Sequence, residues 1–397
     1  MTGPLEIVVV GAGIGGLAAS LALARDGHAV SVVERARVLG EAGAGLQLSP
    51  NAMRAVDALG VGPAVRDVAS RPEAAELRLA GLGARVYRLE LGAAAEARWG
   101  APYLHVHRAD LHGALRRAAE AAGVAMRLDE TADRVDAEGP RAALCTSRGA
   151  LAADLVIAAD GVRSALRETV AGESAPAWSG NRAWRALVPA RGLPEALSVP
   201  QATLWMGPRG HVVTYPLRNR TLVNLVAVEE RAGPAGEGWS HPGDPAALRA
   251  AFRGWDPAVD ALLAAAEAPK IWGLYDHRAL PCWRRGRVAL LGDAAHPSTP
   301  FLAQGAAMAL EDAVVLARAL RGRTPEAGLA AYEAARAPRT RRLTRAAARA
   351  GRNYHSRSLP ERLVKGGALA AFGALAPARA AALNDWIYRY DPTAAPV

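Results

Sequence analysis

The apolar residues of this chain occur in short runs that alternate with helical patterns, which indicates an α/β fold. Residues 5–10 are almost continuously apolar, as expected of a strand in the middle of a parallel sheet. Residues 17–25 place Leu17 and Leu21 on one side of a helix, and residues 29–33 form a second apolar run. The start of the chain therefore predicts a βαβ unit.

A glycine motif separates the first predicted strand from the helix. Gly11, Gly13 and Gly16 form the pattern GxGxxG, and Glu34 ends the second strand. In such a motif the first glycine permits a tight turn, the second lets the backbone approach a pyrophosphate, and the third allows close helix packing. An acid about 20 residues further on can bind the ribose hydroxyls. We expect a dinucleotide here, and the motif leaves open whether it is FAD or NAD.

Two further junctions repeat the plan of a strand, a turn and a helix. Residues 155–159 form a buried strand that leads into a turn with Asp160 and Arg163. Residues 286–316 begin with an apolar strand, pass Asp293 in a loop with glycine and proline, and continue as an Ala-rich helix. The first N–H groups of a helix lack partners within it, so this loop could hold an anion or an electron-rich ring.

Shorter patterns connect these junctions. Residues 41–51 are a glycine-rich connector before a helix at 52–59, and residues 76–91 partly alternate apolar and polar side chains, which predicts a hairpin. Asp110 is the predicted N-cap of a following helix. Three short apolar runs predict strands of one meander, at residues 124–128, 134–135 and 142–146.

The pattern changes at about residue 178, where strand-like stretches are separated by turn residues. Six of the nine tryptophans lie between Trp178 and Trp272, which predicts a separate antiparallel sheet with aromatic residues on one face. His211 and Tyr215 are four residues apart on one predicted strand, so they face the same side at about 13 Å. A ring could lie between them, although each could equally be an ordinary structural residue. The C-terminal part is predicted to be mostly helical.

Composition narrows the function. The chain has 397 residues and a net charge of +10, and its basic residues are almost all arginine, with Lys270 and Lys365 the only lysines. The densest basic run, between Arg336 and Arg352, is predicted to be a helix that faces solvent or a partner. Because no aromatic interleaving or nucleic-acid motif accompanies this charge, we expect no nucleic-acid partner.

Targeting and metal-binding signals are not found in the sequence. Cys145 and Cys282 lie far apart and form no CxxC, which predicts two ordinary thiols and neither a disulfide framework nor a metal site. The N-terminus lacks the pattern of a signal peptide, and no apolar run approaches the roughly 20 residues that span a bilayer. We therefore expect a cytoplasmic protein with no membrane partner.

Taken together, the three junctions resemble the single-component FAD-dependent aromatic hydroxylases with the p-hydroxybenzoate hydroxylase fold. The motifs that carry this resemblance are GAGIGG with Glu34, DGVRS at 160–164 and GDAAHP at 292–297. The similarity is closer still to the salicylate, 6-hydroxynicotinate and 3-hydroxybenzoate hydroxylase branch. Further matching stretches are HVVTYP at 211–216, LYDHR at 274–278, FLAQGAAMALEDA at 301–313, and Tyr332-Glu, Arg339 and Asn353-Tyr-His355.

This resemblance implies an α/β fold with a Rossmann-like FAD-binding domain, an antiparallel β-sheet substrate domain and C-terminal helices. The implied division assigns residues 1–72, 101–177 and 278–345 to the FAD-binding domain, 73–100 and 178–277 to the substrate domain, and 346–397 to a C-terminal helical region.

The resemblance also implies which residues surround the cofactor. The implied set is Gly11, Gly13, Gly16, Glu34, Arg35, Gln47, Arg108, Asp160, Arg163, Asp293, Pro300, Gly305 and Ala306. The glycines of the first motif would hold the FAD pyrophosphate, and Glu34 the adenosine ribose. Arg108 would meet the phosphate or ribityl region, and Asp293 the ribityl chain. The DGVRS turn would serve both FAD and the nicotinamide cofactor.

The implied reaction is ordered. NADH or NADPH reduces FAD, and O2 then adds to give a C4a-hydroperoxide. Its distal oxygen is transferred to a ring carbon activated by an ortho or para hydroxyl or amino group. His211 is the expected base, because histidine ordinarily titrates near a pKa of about 6.5, and Tyr215 would position the ring substituent. Pro300 offers only a carbonyl and a rigid wall, so no regiochemistry follows from it.

Alternatives stay open on the sequence alone. The same scaffold could carry a flavin-dependent epoxidase or a reductase of a non-aromatic substrate. A non-enzymatic protein of the GDP-dissociation-inhibitor kind is another possibility, against which the intact GDAAHP and DGVRS motifs argue. Since neither alternative enzyme needs a phenolate base, His211 and Tyr215 favour aromatic hydroxylation. The expected partners are a small aromatic substrate and O2, and a homodimer is left open.

Overall fold

The computed structural model describes residues 3–40, 44–172, 176–233, 241–276 and 279–397. Its strands are β1 Glu6–Val10, β2 Ala29–Glu34, β3 Gly45–Leu48, β4 Ala74–Leu79, β5 Arg85–Glu90, β6 Leu104–His107, β7 Ala125–Leu128, β8 Ala132–Asp136, β9 Ala142–Thr146, β10 Gly149–Ala153, β11 Leu155–Ala158, β12 Ala177–Pro189, β13 Gln201–Gly207, β14 Gly210–Leu217, β15 Leu222–Glu230, β16 His241–Pro242, β17 Lys270–Asp276, β18 Arg284–Arg285 and β19 Val288–Leu290.

The α-helices alternate with these strands in the first part of the chain and dominate its end. They are α1 Ile14–Arg25, α2 Pro50–Ala58, α3 Gly62–Val68, α4 Ala93–Trp99, α5 Arg108–Ala121, α6 Arg167–Ala171, α7 Pro245–Ala251, α8 Pro257–Ala265, α9 Gly305–Leu320, α10 Pro325–Tyr354, α11 Leu359–Leu375, α12 Pro377–Ala382 and α13 Asp385–Tyr388.

A six-stranded sheet carries all three motif junctions. Its strand order is β18-β19-β11-β1-β2-β7, and only the edge pair β18–β19 is antiparallel. Helix α1 packs against both α5 and α9. Leu17, Val9 and Ile157 are fully enclosed in the resulting core. The predicted βαβ unit and Rossmann-like sheet are confirmed, although α1 begins at Ile14 and not at residue 17.

The strand predicted at residues 124–128 does not belong to the meander. It forms β7 and pairs in parallel with β2, and α5 lies in the connection between these two strands. The three-stranded meander consists of β8, β9 and β10. The short apolar runs look alike in sequence, and only the long crossover helix before β7 distinguishes a parallel neighbour from a hairpin partner.

A second, eight-stranded sheet has the order β16-β17-β12-β15-β14-β13-β4-β5. It is antiparallel except where β13 pairs in parallel with β4, and β4–β5 is the predicted hairpin. The prediction that its aromatic residues share one face is wrong. Trp184 and Trp205 pack in one cluster with Phe252, whereas Trp272 and Tyr215 lie in clusters on the other side.

Helices α7 and α8 cover the first of these faces and were not predicted. Each begins at an Asp-Pro pair, and the carboxylates of Asp244 and Asp256 accept hydrogen bonds from the N–H groups of Ala246 and Ala258. Proline at the first helical position needs no N–H partner, so the pair is a good helix start. The opposite face packs against Phe301 and Tyr354.

Two local predictions near the motif junctions are corrected. The connector at 41–51 contains β3, which pairs with β6, while residues 41–43 lie outside the described residues. The N-cap of α5 is His107, whose Nδ1 accepts a hydrogen bond from the N–H of Ala109. Asp110 lies in the first turn, where its carboxylate accepts two hydrogen bonds from Arg218.

The basic run on α10 is partly buried against α9, whereas the sequence predicted a helix that faces solvent or a partner. Arg336 is fully enclosed and contacts Glu311 at 2.8 Å and Asp312 at 2.6 Å, both on α9. Arg339 binds both oxygens of Glu311 at 2.8 Å. Burial alone would raise the pKa of Asp312, but His296 and Arg336 hold it at about 2. These ion pairs fix α10 against the helix that follows the GDAAHP loop.

Cys145 and Cys282 are free thiols, as predicted. Among the helices that the structure describes, none is long and apolar enough to cross a membrane.

Candidate active site

The turn between β1 and α1 is shaped by its glycines. Gly11 has a φ of +100°, and a Cβ there would lie 2.5 Å from the carbonyl oxygen of Ala159. A Cβ on Gly16 would lie 1.9 Å from the carbonyl oxygen of Gly11, so neither position accepts a side chain. Gly13 differs, because a Cβ there would meet nothing within 4 Å.

The start of α1 is therefore open at its N-cap. Gly13 has extended backbone and supplies no side-chain cap, so the first N–H groups of the helix face open space. Open space of this kind fits a pyrophosphate, which helix N–H groups and the helix dipole attract.

Glu34 is held beside this turn. Its two carboxylate oxygens accept hydrogen bonds from the N–H groups of Ala12 and Ala36, both at 2.8 Å. The backbone thus fixes the carboxylate at the end of β2, where it can meet a ribose. Arg35 follows it and is exposed.

We predict that Gly13→Ala folds normally but binds FAD at least about ten-fold more weakly, a change of about 1.4 kcal/mol. The φ of Gly13 is not positive, so alanine causes no backbone strain, and its methyl group would occupy the open space. The control is Gly40→Ala, at another glycine where a Cβ meets nothing within 4 Å. Flavin absorbance after dialysis measures the effect, and equal flavin retention in both variants would contradict the prediction.

The other two motif turns are joined by Arg167, which the sequence analysis missed. Its guanidinium donates hydrogen bonds to the carbonyl oxygens of Val162, Asp293 and Ala294 at 2.8–2.9 Å. Asp160 accepts a hydrogen bond from the N–H of Ala165 at 2.9 Å. Arg167 lies just past the DGVRS motif, so no motif pattern marked it.

A cleft that opens to solvent lies against these turns. Arg163, Asp293 and Pro300 all line it, so the structure brings together residues from the two predicted junctions at 155–164 and 286–316. The opposite wall is the stretch from Trp272 to Tyr275 on β17. Burial raises the pKa of Asp293, which the positive charge of Arg108 partly opposes. Arg108 is thus electrostatically linked to the cleft from the first residue of α5.

The remaining predicted cofactor residues surround this region from β3 and α9. Gln47 lies on β3 and accepts a hydrogen bond from the hydroxyl of Tyr103 at 2.6 Å. Gly305 and Ala306 begin α9, and a Cβ on Gly305 would meet only Ser298 Oγ, at 3.9 Å. The open N-terminus of α9 thus lies beside the loop that lines the cleft, and both features fit a flavin.

His211 and Tyr215 both lie on β14, as predicted, but in different surroundings. Nδ1 of His211 is 2.8 Å from Nε2 of His355, and its ring packs edge-on against Phe301 at 5.3 Å. Tyr215 packs 4.6 Å from the ring of His105. A Cβ on Gly45 would lie 2.7 Å from the hydroxyl oxygen of Tyr215, so glycine is needed there.

The expectation that His211 has an ordinary pKa is corrected by its burial. Burial, with His355 nearby, lowers the pKa of His211 well below 6.5. The ring is therefore neutral at pH 7, with a lone pair on one of its two nitrogens. Burial likewise raises the pKa of Tyr215, which stays a phenol.

Buried histidines make the folded state less stable in acid. Burial lowers the pKa of His105 to about 3 and that of His355 to about 4. The unfolded chain takes up protons from about pH 6.5 downward and the native state does not, so the free energy of unfolding falls as the pH drops.

For His105 we expect a loss of up to about 2 kcal/mol between pH 7 and pH 5, at about 1.36 kcal/mol for each pH unit below 6.5. Urea unfolding of the parent and of His105→Gln at both pH values measures this. The variant should lose less stability between the two pH values, whereas an equal loss would contradict the assignment.

Comparison with known proteins agrees with this geometry. The family model described as the FAD binding domain matches residues 4–347. The 3-amino-4-hydroxybenzoate 2-monooxygenase of Streptomyces platensis is 39% identical over 99% of this chain and 97% of its own. The 3-hydroxybenzoate 6-hydroxylase of Polaromonas naphthalenivorans is 37% identical over 98% and 96%. A solved salicylate hydroxylase–substrate complex is 28% identical, covers 98% of this chain and 97% of its own, and superposes with a TM-score of 0.82.

The family match spans all three motif turns, and the relatives cover nearly the whole chain. The chain is an enzyme that belongs to the FAD-dependent aromatic-ring hydroxylases with the p-hydroxybenzoate hydroxylase fold.

Proposed function

We propose that this enzyme uses NADH or NADPH and O2 to hydroxylate a small aromatic or heteroaromatic acid of the salicylate, hydroxybenzoate or hydroxynicotinate type. The observation that carries the proposal is the position of a neutral histidine, His211, beside the loop that follows GDAAHP. The ring of His211 lies 5.3 Å from that of Phe301 in this loop. A base beside the flavin loop suits a ring that must lose a hydroxyl proton to become reactive.

The cofactor would be held by the residues that fit it. Gly11, Gly13 and Gly16 would hold the pyrophosphate, Glu34 the ribose, and Asp293 the ribityl chain. When bound, FAD takes electrons from the nicotinamide and supplies one oxygen atom from O2 to the ring. The other members of the proposed set are Arg35, Gln47, Arg108, Asp160, Arg163, Pro300, Gly305 and Ala306.

Side chains of the substrate sheet would prepare the ring for attack. His211 would accept the proton of the ring hydroxyl, and Tyr215 would position the ring from the other end of the same strand. Phe301 and Trp272 belong to one apolar cluster on this face of the sheet. Such a wall keeps water from the reacting atoms, which prevents loss of the activated oxygen.

The charge on this face favours an acid as substrate. Arg185 is on β12, 8% exposed, and its guanidinium carbon lies 5.3 Å from the ring centroid of Trp272. Its positive charge also opposes the rise in the pKa of Tyr215. A buried cation near the phenol of Tyr215 would attract a ring carboxylate more strongly than a neutral alkene.

The predicted domain division, a cytoplasmic location and a homodimer belong to this proposal as well. The division would place the flavin in the six-stranded sheet and the ring beneath the eight-stranded sheet. This division is supported by the presence of two separate large sheets, one with six strands and one with eight.

A screen of substituted benzoates and hydroxypyridines for stimulated NADH or NADPH oxidation, with product identification, tests the proposal. A phenolic acid should stimulate oxidation and yield a product with one added ring hydroxyl. The epoxidase alternative predicts turnover of an alkene and no hydroxylated product from any phenolic acid.

A further inference from the structure

Two buried histidines are hydrogen-bonded to each other beside the proposed base. Nδ1 of His211 and Nε2 of His355 are 2.8 Å apart, and the ring centroids are 5.0 Å apart. His211 lies on β14 of the substrate sheet, whereas His355 directly follows α10. The bond thus connects the sheet to the C-terminal part of the chain.

Both rings are neutral at pH 7. Phe301 and Tyr354 enclose His211 with centroid distances of 5.3 and 5.4 Å, and Phe301 lies 5.8 Å from the ring of His355. Burial is the main cause that lowers the pKa of each histidine, and it does so for His355 although Glu230 acts in the opposite direction. A neutral imidazole carries one proton, so each ring has one donor and one acceptor nitrogen.

Glu230 lies on the side of His355 that is turned away from His211. Its Oε1 is 3.8 Å from Nδ1 of His355. Arg209 and Arg357 both contact the other oxygen, Oε2, at 3.4 and 3.1 Å, which leaves Oε1 facing the histidine. A carboxylate stabilises a proton on the nearer nitrogen.

The tautomer of His211 follows from this charge. With its proton on Nδ1, His355 accepts at Nε2, so Nδ1 of His211 must be the donor in the 2.8 Å bond. The remaining nitrogen of His211, Nε2, then holds a lone pair. No hydrogen bond to Nε2 of His211 is seen within the described part of the chain, so no residue described there competes with a substrate for this nitrogen.

We propose that His355 and Glu230 set the tautomer of His211 and form a proton exit from the substrate site to the surface. The inference rests on the proposed role of His211 as the base. His355 is a positioning residue, because it acts through His211 and does not itself touch the ring.

The transfer conserves protons and charge. The substrate hydroxyl proton moves to Nε2 of His211, while the Nδ1 proton of His211 moves to Nε2 of His355. The Nδ1 proton of His355 then passes to Glu230, through a bridging water or a small movement of the carboxylate. Both rings stay neutral, the substrate becomes a phenolate, and Glu230, with a side chain 23% exposed, releases the proton to solvent.

Three variants of the FAD-loaded enzyme separate the two roles. His355→Gln keeps an acceptor for Nδ1 of His211 but cannot pass a proton on. His355→Leu removes both the hydrogen-bond acceptor and the route for the proton. Glu230→Gln removes only the negative charge beside His355. Flavin content and thermal unfolding identify any variant that has not folded.

The first readout is the tautomer of His211, measured by NMR of 15N-histidine-labelled enzyme at pH 7. The parent and His355→Gln should carry the proton on Nδ1 of His211, whereas His355→Leu should lose this preference. A proton on Nε2 of His211 in the parent, or an unchanged tautomer in His355→Leu, would overturn the tautomer assignment. This readout needs no substrate.

The second readout is hydroxylation of the phenolic acid that the parent oxidises best. We expect kcat to fall about 10- to 100-fold in His355→Leu, the scale known for partners that orient a histidine in metal sites. The kcat of His355→Gln should fall less, and Glu230→Gln should also lower kcat, because it removes the carboxylate that receives the proton of His355. If the parent hydroxylates its ring and His355→Leu matches its kcat, the relay is wrong and the proposed function stands. If the parent hydroxylates no ring, the proposed function and the relay both fail.

Discussion

Replacement of His211 by alanine is expected to lower the turnover of ring hydroxylation by about 10²- to 10⁴-fold. The reason is that the ring hydroxyl would lose the neutral base that accepts its proton. Flavin reduction by the nicotinamide does not involve this base, so NAD(P)H oxidation should continue and become uncoupled from product formation. The ratio of hydroxylated product to NAD(P)H consumed measures the change.

A variant on the opposite face of the same strand controls for lost packing. Val212 is fully buried next to His211 but packs in the cluster beneath α7 and α8. Val212→Ala should cost stability, about 0.5–3 kcal/mol as is usual for a buried truncation, and leave the coupling ratio intact. Tyr215→Phe should lower the coupling to a smaller extent than His211→Ala. Unchanged coupling in both His211→Ala and Tyr215→Phe would remove these two residues from the mechanism.

Replacement of Arg336 by methionine is expected to destabilise the folded enzyme by about 3–5 kcal/mol. The side chains of Glu311, Asp312 and Arg336 are all fully enclosed, so the change leaves Asp312 without its guanidinium partner and Glu311 with Arg339 alone. Asp312 also accepts hydrogen bonds from His296 and from the N–H of Gly292, so the loss should extend to the GDAAHP loop. Urea unfolding and flavin release measure the two effects.

Arg342 on the same helix provides the matched control. It is exposed, and its guanidinium carbon lies 4.0 Å from the ring centroid of Trp386. Arg342→Met should cost no more than about 1 kcal/mol, as expected of an exposed cation–π contact. Equal losses at Arg336 and Arg342 would show that the buried ion pairs do not hold α9 and α10 together.

The parallel sheet and the three motif turns could be predicted because their patterns are local. Strand β1, the GxGxxG glycines and Glu34 lie within one βαβ unit. Each of these residue types meets a local steric or electrostatic requirement of that unit. The two Asp-Pro helix starts are equally local signals, although they lie among tryptophan-rich stretches that indicate strands.

Features that depend on distant partners could not be predicted in this way. In the sequence, Arg336 cannot be distinguished from a surface arginine. Only the packing of α9 shows that Glu311 and Asp312 lie against it. His355 matched a family pattern without a role, since its partner His211 is 144 residues away. Arg167 contacts carbonyl groups from two turns that are far apart in sequence, and carbonyl groups carry no residue-specific signal.

The most direct test of ring hydroxylation is the origin of the new oxygen atom. The purified enzyme, supplied with NADH or NADPH and a phenolic acid that stimulates oxidation, is allowed to turn over under ¹⁸O₂. Mass spectrometry of the product should show one ¹⁸O atom on a ring carbon, and none when the label is in water. A product without ¹⁸O, or an alkene epoxide as the only labelled product, would contradict aromatic hydroxylation by this enzyme.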